Sequence, residues 1–405
     1  MNNVYTSKQR ELLRMWQEGK LKRINLLEGS VRSGKTWISL VLWAFWIATM
    51  PRDGNYLMVA KTLTSLRRNC LDLLQELVGT KYFTYSLARK EAYLFGRHIY
   101  LEGANDARAE SKIRGMTLQG AYCDELTLFT EDFFSMLLSR LSCPGAKLIA
   151  TTNPDSPMHW LKVKYMDRAN ELNMMIMRFL IEDNTFLAPG YVENLKHEYT
   201  GVFYDRYILG LWVVAEGRVY PMFTDNPDRF ILHGTTAGMD GQFYVSIDYG
   251  TVNPTAMQLW CVRGKEAILI RESYFDSRRE GYQKTDEEHY AALEELTRGY
   301  YIRRVIVDPS AASFIETIRR HGKFYVWEAE NSVINGIRVT GTLLNAGMIK
   351  IHESCKDTIR EFGLYRWDEK KHEDAVIKEN DHAMDAMRYF CATVLSREFR
   401  WIPWG

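Results

Sequence analysis

A chain of 405 residues, 46% of them apolar and 25% charged, is long enough to bury two cores and carries no biased run that reads as a fibrous or disordered tract. Its net charge of +1 excludes a basic footprint spread over the whole molecule, although residues 1–120 hold 19 Lys and Arg against 10 Asp and Glu. The six cysteines include no pair two residues apart, which excludes both a zinc-ligand spacing and a disulfide framework, and they are expected as buried, reduced thiols.

The first twenty residues are polar and amphipathic rather than a basic tip ahead of an apolar core, so no secretory signal is expected there. The longest apolar stretch, Trp37 to Met50, is shorter than a bilayer span, and the expectation is a soluble cytosolic chain. From Ile24 onward, β-rich runs alternate with helical pattern, which predicts a mainly parallel sheet with crossover helices. The runs are Ile24–Leu27, Tyr56–Ala60, His98–Leu101, Gly120–Asp124, Lys147–Thr152 and Met174–Leu180, with helices over Thr36–Met50 and Thr62–Leu77.

Between the first run and the first long helix stands Gly29-Ser30-Val31-Arg32-Ser33-Gly34-Lys35-Thr36, a complete Walker A pattern in the required strand–loop–helix context. Its glycines let backbone amides wrap phosphates at a helix N-terminus, Lys35 can reach the β- and γ-phosphates, and Thr36 offers a hydroxyl to Mg2+. Such a site needs a carboxylate for the metal and a base for water at a neighbouring strand end. Asp124 and Glu125 supply these types, although Gln119 and Gly120 make the run before them less apolar than usual. The next run ends in Thr151-Thr152-Asn153-Pro154, either a γ-phosphate sensor or a capped turn.

A helical segment, Tyr191–Leu209, precedes Gly210-Leu211-Trp212 and Glu216-Gly217-Arg218-Val219-Tyr220-Pro221, and the Gly/Pro content there marks a crossing between domains. The expected layout is residues 1–215 for an ATPase domain, 216–235 for a linker and 236–405 for a second α/β domain. That second alternation runs through Phe243–Asp248, Ala256–Val262, Ala267–Tyr274, Arg304–Asp308 and Phe324–Val326, with helices over Glu287–Arg298, Ala311–His321, Ser332–Leu344, Cys355–Phe362 and Asp381–Leu395. It has no nucleotide loop, but Asp248 and Asp308 close apolar strands, where a charge is costly unless a cation or hydrogen bonds compensate it. Asp381 and Asp385, four apart, share one helix face. Each aspartate taken singly also reads as a strand-end cap or an exposed helix charge. Together they form a donor set for two hard divalent cations, Mg2+ or Mn2+, of the kind that hydrolyse phosphodiesters.

The Walker A motif with Arg32 inside it, the strand ending in Asp124-Glu125 and the strand ending in Thr151-Thr152-Asn153-Pro154 resemble the ATPase half of viral large terminase subunits. The joint, and the order of Asp248, Asp308 and an aspartate just ahead of Ala386-Met387-Arg388-Tyr389, extend the resemblance over nearly the whole chain. It implies a P-loop (RecA/ASCE-like) ATPase domain followed by a ribonuclease H-like nuclease. Gln9 then matches an adenine-reading glutamine, Thr152 and Asn153 a coupling motif, and Arg114 an arginine finger for a neighbouring subunit, its alternative being an ordinary surface arginine. Asp248, Asp308 and Asp385 match the nuclease metal ligands, with Asp381 and His382 as auxiliaries. Other members place glutamate at the second acid, so Asp308 is assigned from its strand position.

The implied function is ATP-driven translocation of double-stranded DNA into a procapsid, with metal-dependent cutting of concatemers. The implied partners are DNA, the portal protein, the small terminase subunit and further copies of the chain in a ring. The implied setting is the host cytoplasm, outside the mature virion and without membrane. A helicase or repair translocase with an attached nuclease is the alternative. It would need a second ATPase-like lobe, which this pattern lacks. A P-loop switch joined to an inert docking module is the non-enzymatic alternative. The basic, aromatic ending Arg397–Gly405 could dock on a partner or fold back on the nuclease.

Overall fold

A computed structural model of the chain describes residues 4–104, 109–199, 201–251, 253–371 and 373–398. It divides into two compact units, Met1–Glu193 with Gly201–Val214, and Asn194–Thr200 with Ala215–Gly405.

The first unit is built on an eight-stranded sheet. Its strands are β1 (Ile24–Gly29), β2 (Tyr56–Ala60), β3 (Phe83–Ser86), β4 (Glu91–Leu94), β5 (Arg97–Gly103), β6 (Gly120–Cys123), β7 (Lys147–Thr152) and β8 (Met174–Phe179), in the order β3-β4-β5-β2-β6-β7-β1-β8. The six strands from β5 to β8 in that order are parallel and carry the six expected runs. The hairpin β3–β4 adds antiparallel strands at one edge. The sequence pattern missed it because each of its strands is only four residues long, too short to show a period.

The Lys35–Ala48 helix has ten buried residues, since it lies over the sheet under further helices and hides all but a narrow stripe. Trp43 and Trp46 stack there at 5.4 Å, and a Cβ on Gly120 would lie 2.4 Å from the Trp46 ring. Gly120 is therefore a space-making residue, which explains why the run before Asp124 looks weakly apolar. The helix expected over Thr62–Leu77 is interrupted by a π-helical turn, Arg67–Leu71, between short α segments. The helical span Tyr191–Leu209 likewise resolves into Pro189–Glu198 and Gly201–Tyr207.

The second unit holds a seven-stranded mixed sheet. Its strands are β9 (Ile231–Leu232), β10 (Gln242–Asp248), β11 (Thr255–Arg263), β12 (Glu266–Phe275), β13 (Ile302–Val307), β14 (Val326–Glu328) and β15 (Ile349–His352), in the order β14-β13-β10-β11-β12-β15-β9. The expected meander β10–β11–β12 is antiparallel, and β13 joins β10 in parallel. Two strands escaped the sequence pattern, β15 and the two-residue β9, because each is too short to show periodicity. β9 pairs with β15, so part of the stretch expected as linker belongs to this sheet, and Tyr220 and Phe223 pack on Phe362. The late helix spans His382–Phe390 and continues as a π-helical turn, Cys391–Leu395. Of the terminal segment, Arg397 stands 5.5 Å from the Trp327 ring, and residues 399–405 lie outside the described residues. All six cysteines are free, five of them buried. Among the described residues no helix is long and apolar enough to cross a membrane.

Gly29 closes β1 at φ +131°, and a Cβ there would stand 1.9 Å from the Phe179 carbonyl oxygen of β8. Backbone cannot yield as a flexible side chain does, so Gly29→Ala should cost the first unit about 3 kcal/mol or more in urea unfolding. Gly145→Ala, also at positive φ but with nothing within 4 Å, should cost only about 1–2 kcal/mol.

Candidate functional sites

In the first unit β1, β7 and β6 are neighbours and parallel, so the loops leaving their carboxyl ends meet at one edge of the sheet. The loop after β1 turns through Arg32 at φ +56° and Gly34 at φ +83°, the second of which caps the Lys35 helix in the left-handed region. It is held from outside: Ser30 N–H donates to the Phe179 carbonyl at 2.9 Å, Val31 N–H to the Tyr207 carbonyl at 2.8 Å, and Asn184 Nδ2 to the Arg32 carbonyl at 2.7 Å. Gly210, in the Gly-Leu-Trp segment, packs so close that a Cβ would lie 3.3 Å from Ser30 N, and Trp212 Nε1 donates to buried Glu28 at 3.1 Å. Gln9 caps its own helix with Thr6, and its Nε2 lies 2.9 Å from the place of a Gly34 Cβ, beside the loop.

Lys35 is buried, and its Nζ donates to the Ser30 carbonyl at 2.9 Å and to Asn153 Oδ1 at 2.6 Å. Burial draws its ammonium down to about 8, against the pull of Glu125, Asp124 and Glu28. The hydroxyls of Ser30 and Ser33 are buried and have no hydrogen-bond partner among the described residues. A loop holding an under-compensated cation and unused donors fits an anionic ligand rich in acceptors, such as a nucleotide phosphate. Thr36, on the first helical turn, is half-buried, and Arg32 is exposed.

Asp124 follows β6 and is 1% exposed. Thr151 Oγ1 donates to its Oδ1 at 2.8 Å and Asn69 Nδ2 to its Oδ2 at 3.1 Å. Asn69 escaped the sequence reading because only the π-helical turn at Arg67–Leu71 aims it across the sheet edge, and no motif marks that turn. Glu125 sits at φ +54°, a conformation costing a non-glycine residue about 1–3 kcal/mol, and its N–H donates to Thr151 Oγ1 at 3.2 Å. Thr152 Oγ1 donates to Thr127 Oγ1 at 3.0 Å and accepts from Thr127 N–H at 3.1 Å. Thr151 thus braces the two acids, Thr152 holds Thr127 just beyond them, and Asn153 meets Lys35. Arg114 stands apart, exposed and ion-paired with Glu110 at 2.7 Å.

In the second unit Asp248 ends β10 and Asp308 follows the adjacent parallel strand β13. The Tyr389 hydroxyl, on the late helix, stands 2.7 Å from Asp308 Oδ2 and 3.4 Å from Asp248 Oδ1. His382 Nδ1 meets Asp248 Oδ2 at 2.8 Å. Burial pushes the Asp248 carboxyl up; the His382 hydrogen bond opposes that, while Asp385 and Asp381 add to it. Burial opposes ionisation of Asp308 too, but hydrogen bonds from Ser310, Tyr389 and Asn331 prevail and hold its carboxyl low. Asp385 pairs with buried Arg388 at 3.0 Å, and Lys378 Nζ stands 3.1 Å from Asp385 and 3.2 Å from Asp381.

Among the described residues no group of three or more His, Cys, Asp or Glu side chains is gathered so as to hold a metal ion. The acids expected to converge are one neighbourhood, but each is engaged by His382, Tyr389, Arg388 or Lys378. Their chemistry fits a hard divalent cation: four carboxylates, with Asp248 raised by burial and by two like charges that a cation would offset. Arg388 and Tyr389 served only as motif landmarks in the sequence, and Lys378 carried no signal there.

Residues 26–224 match the family model described as "Terminase large subunit, T4likevirus-type, N-terminal". The large terminase subunit of Escherichia phage T5 is 26% identical over 152 residues, 36% of this chain and 34% of that protein, so the match spans about a third of its length. A solved structure of the large terminase from a thermophilic bacteriophage is 36% identical, covers 97% of this chain and all of that one, and superposes with a TM-score of 0.92. The large terminase of the same thermophilic phage in complex with ADP is 37% identical, covers 96% of this chain and all of that one, and has a TM-score of 0.89. With a phosphate loop on one sheet, an acidic strand-end group on the other and this likeness over both units, the chain belongs to the family of phage large terminase subunits.

Proposed function

We propose that the chain is the motor subunit of a viral genome-packaging machine: its first unit hydrolyses ATP to move double-stranded DNA into a procapsid, and its second cuts concatemeric DNA with Mg2+ or Mn2+. The observation that carries the reading is Lys35, buried on the loop after β1 and bonded to Asn153 at the end of β7, with Asp124 and Glu125 at the end of β6 beyond it. The thermophilic-phage relative in complex with ADP supports nucleotide as the ligand.

In this reading Gly29, Ser30, Arg32, Ser33, Gly34 and Lys35 bind the phosphates, Gln9 reads the adenine, and Thr36 and Asp124 hold Mg2+. Glu125 orients the attacking water, its strained backbone being fixed by Thr151, and Thr152 and Asn153 sense the γ-phosphate. ATP supplies a phosphoryl group whose charge the buried Lys35 is already short of. Asp248, Asp308 and Asp385, with Asp381 beside them, hold the ions of the second unit. When bound, such ions supply an activated water and stabilise the leaving oxygen. In this reading the ATPase domain runs to about residue 215 and the nuclease occupies the second unit, the stretch 216–235 contributing β9 to the nuclease sheet rather than serving purely as linker. The partners are DNA, portal protein, small terminase subunit and further copies in a ring, assembled in the host cytoplasm.

Purified protein incubated with supercoiled plasmid and Mg2+ or Mn2+ should separate the two chemistries. Asp385→Ala should lower cutting at least about 100-fold and leave ATP hydrolysis intact; Lys35→Ala should do the reverse. Absence of cutting by the unaltered chain with either metal would sink the nuclease half.

The Arg114 side chain lies on the surface in an exposed ion pair with Glu110, which is worth little and leaves it available to a neighbour. ATPase activity per subunit should rise with protein concentration, and Arg114→Ala should abolish that rise, with a loss of about 1,000-fold at the plateau. Activity independent of concentration in both proteins would favour the self-contained helicase instead.

A further inference from the structure

The His382–Phe390 helix carries Asp385, Arg388 and Tyr389, yet its own sequence does not cap it. Asp381 stands at the N-cap position and makes no capping hydrogen bond, because its carboxylate is turned to Lys378 at 3.2 Å within the acidic group. The first amides of a helix need acceptors from somewhere. Here they come from another helix, Lys356–Leu364. Glu361 Oε2 accepts from Ala383 N–H at 2.7 Å and from Met384 N–H at 3.4 Å. Its Oε1 accepts from the Tyr274 hydroxyl of β12 at 2.7 Å, and Arg360 Nη2 lies 3.5 Å away. On the other side of the same turn, Gln258 Nε2 of β11 donates to the Ala383 carbonyl at 2.9 Å.

Glu361 is 0% exposed. A carboxyl group in that position is expensive unless it satisfies groups that nothing else can, and helix N-terminal amides are the groups that favour an acidic acceptor. The turn it holds lies between His382, which reaches Asp248, and Asp385. A loosened first turn would shift both.

We infer that Glu361 is the positioning residue of the acidic site: it replaces the cap that Asp381 gives up to the site, and so fixes the turn from which His382 and Asp385 face Asp248. This rests on reading the second unit as a metal-dependent nuclease. Glu361 itself touches neither ion nor DNA.

The test compares the full-length chain with Glu361→Ala, Glu361→Gln, Glu361→Asp and Asp385→Ala, without nucleotide. Mn2+ binding is read by electron paramagnetic resonance, counting the binding that Asp385→Ala loses, alongside plasmid cutting against Mn2+ concentration and, separately, ATP hydrolysis. Glu361→Gln removes the charge but keeps an oxygen that can accept from both amides; it should stay within about threefold of the unaltered chain. Glu361→Asp keeps the charge but is one methylene too short, and together with Glu361→Ala it should weaken Mn2+ binding and raise the Mn2+ needed for half-maximal cutting by about 10-fold or more, with ATP hydrolysis unchanged. Should Glu361→Ala not fold, the Gln and Asp pair still decides. Equal Mn2+ affinity in the Asp variant and the unaltered chain, or a Gln variant as impaired as the Asp variant, overturns the inference while the nuclease reading stands. An unaltered chain that neither binds Mn2+ through Asp385 nor cuts DNA overturns both.

Discussion

The first unit turns on the Lys35 ammonium, held out of water with no carboxylate in direct contact among the described residues. Lys35 has a neutral carbonyl from Ser30 and a neutral amide oxygen from Asn153 as its direct partners, while the nearby acids act on it only through space. Burying an ammonium with such partial compensation is costly, and the surrounding structure exists to sustain it. Gly29 lets β1 run into the loop against β8, and hydrogen bonds from Val31 N–H to the Tyr207 carbonyl and from Asn184 to the Arg32 carbonyl tie the loop in place. The same arrangement leaves the Ser30 and Ser33 hydroxyls without partners among the described residues. An anion with many acceptor oxygens would answer the cation and the hydroxyls at once, which is the chemistry on which the proposed phosphate binding rests.

The second unit faces the opposite problem, an excess of negative charge at strand ends. It meets the problem locally: an imidazole for Asp248, a phenol and a backbone amide for Asp308, a guanidinium for Asp385 and a shared ammonium for Asp381 and Asp385. Asp248 keeps its carboxyl pushed up by burial and by its acidic neighbours. The same helix that supplies Asp385 also supplies partners for the acids, through His382, Arg388 and Tyr389, so its docking on the sheet bears on all of them.

Much of this was legible in the residues themselves. The Walker A spacing, the Asp-Glu and Thr-Thr-Asn-Pro strand ends, and the strand-end aspartates of the second half are local patterns, and the parallel runs of the first sheet fall where apolar periodicity put them. Asn69 and Glu361 were not legible. Asn69 depends on a π-helical turn, which has no residue signature, and Glu361 is one acid among many on an amphipathic helix until its burial and its contact with Ala383 and Met384, 22 and 23 residues away, are known.

The sequence by itself determined the chemistry available: which residues can cradle phosphate, hold a hard cation or close a strand, because those capacities belong to side-chain type and short-range spacing. Only the tertiary structure decided which of them meet. Placing β7 between β1 and β6 brings Asn153 to Lys35 and Thr151 to Asp124, and pairing β13 with β10 lets one tyrosine bridge Asp308 and Asp248. Strand order and helix docking are set by the burial of whole faces rather than by any short run of residues, so no local pattern could have announced those contacts.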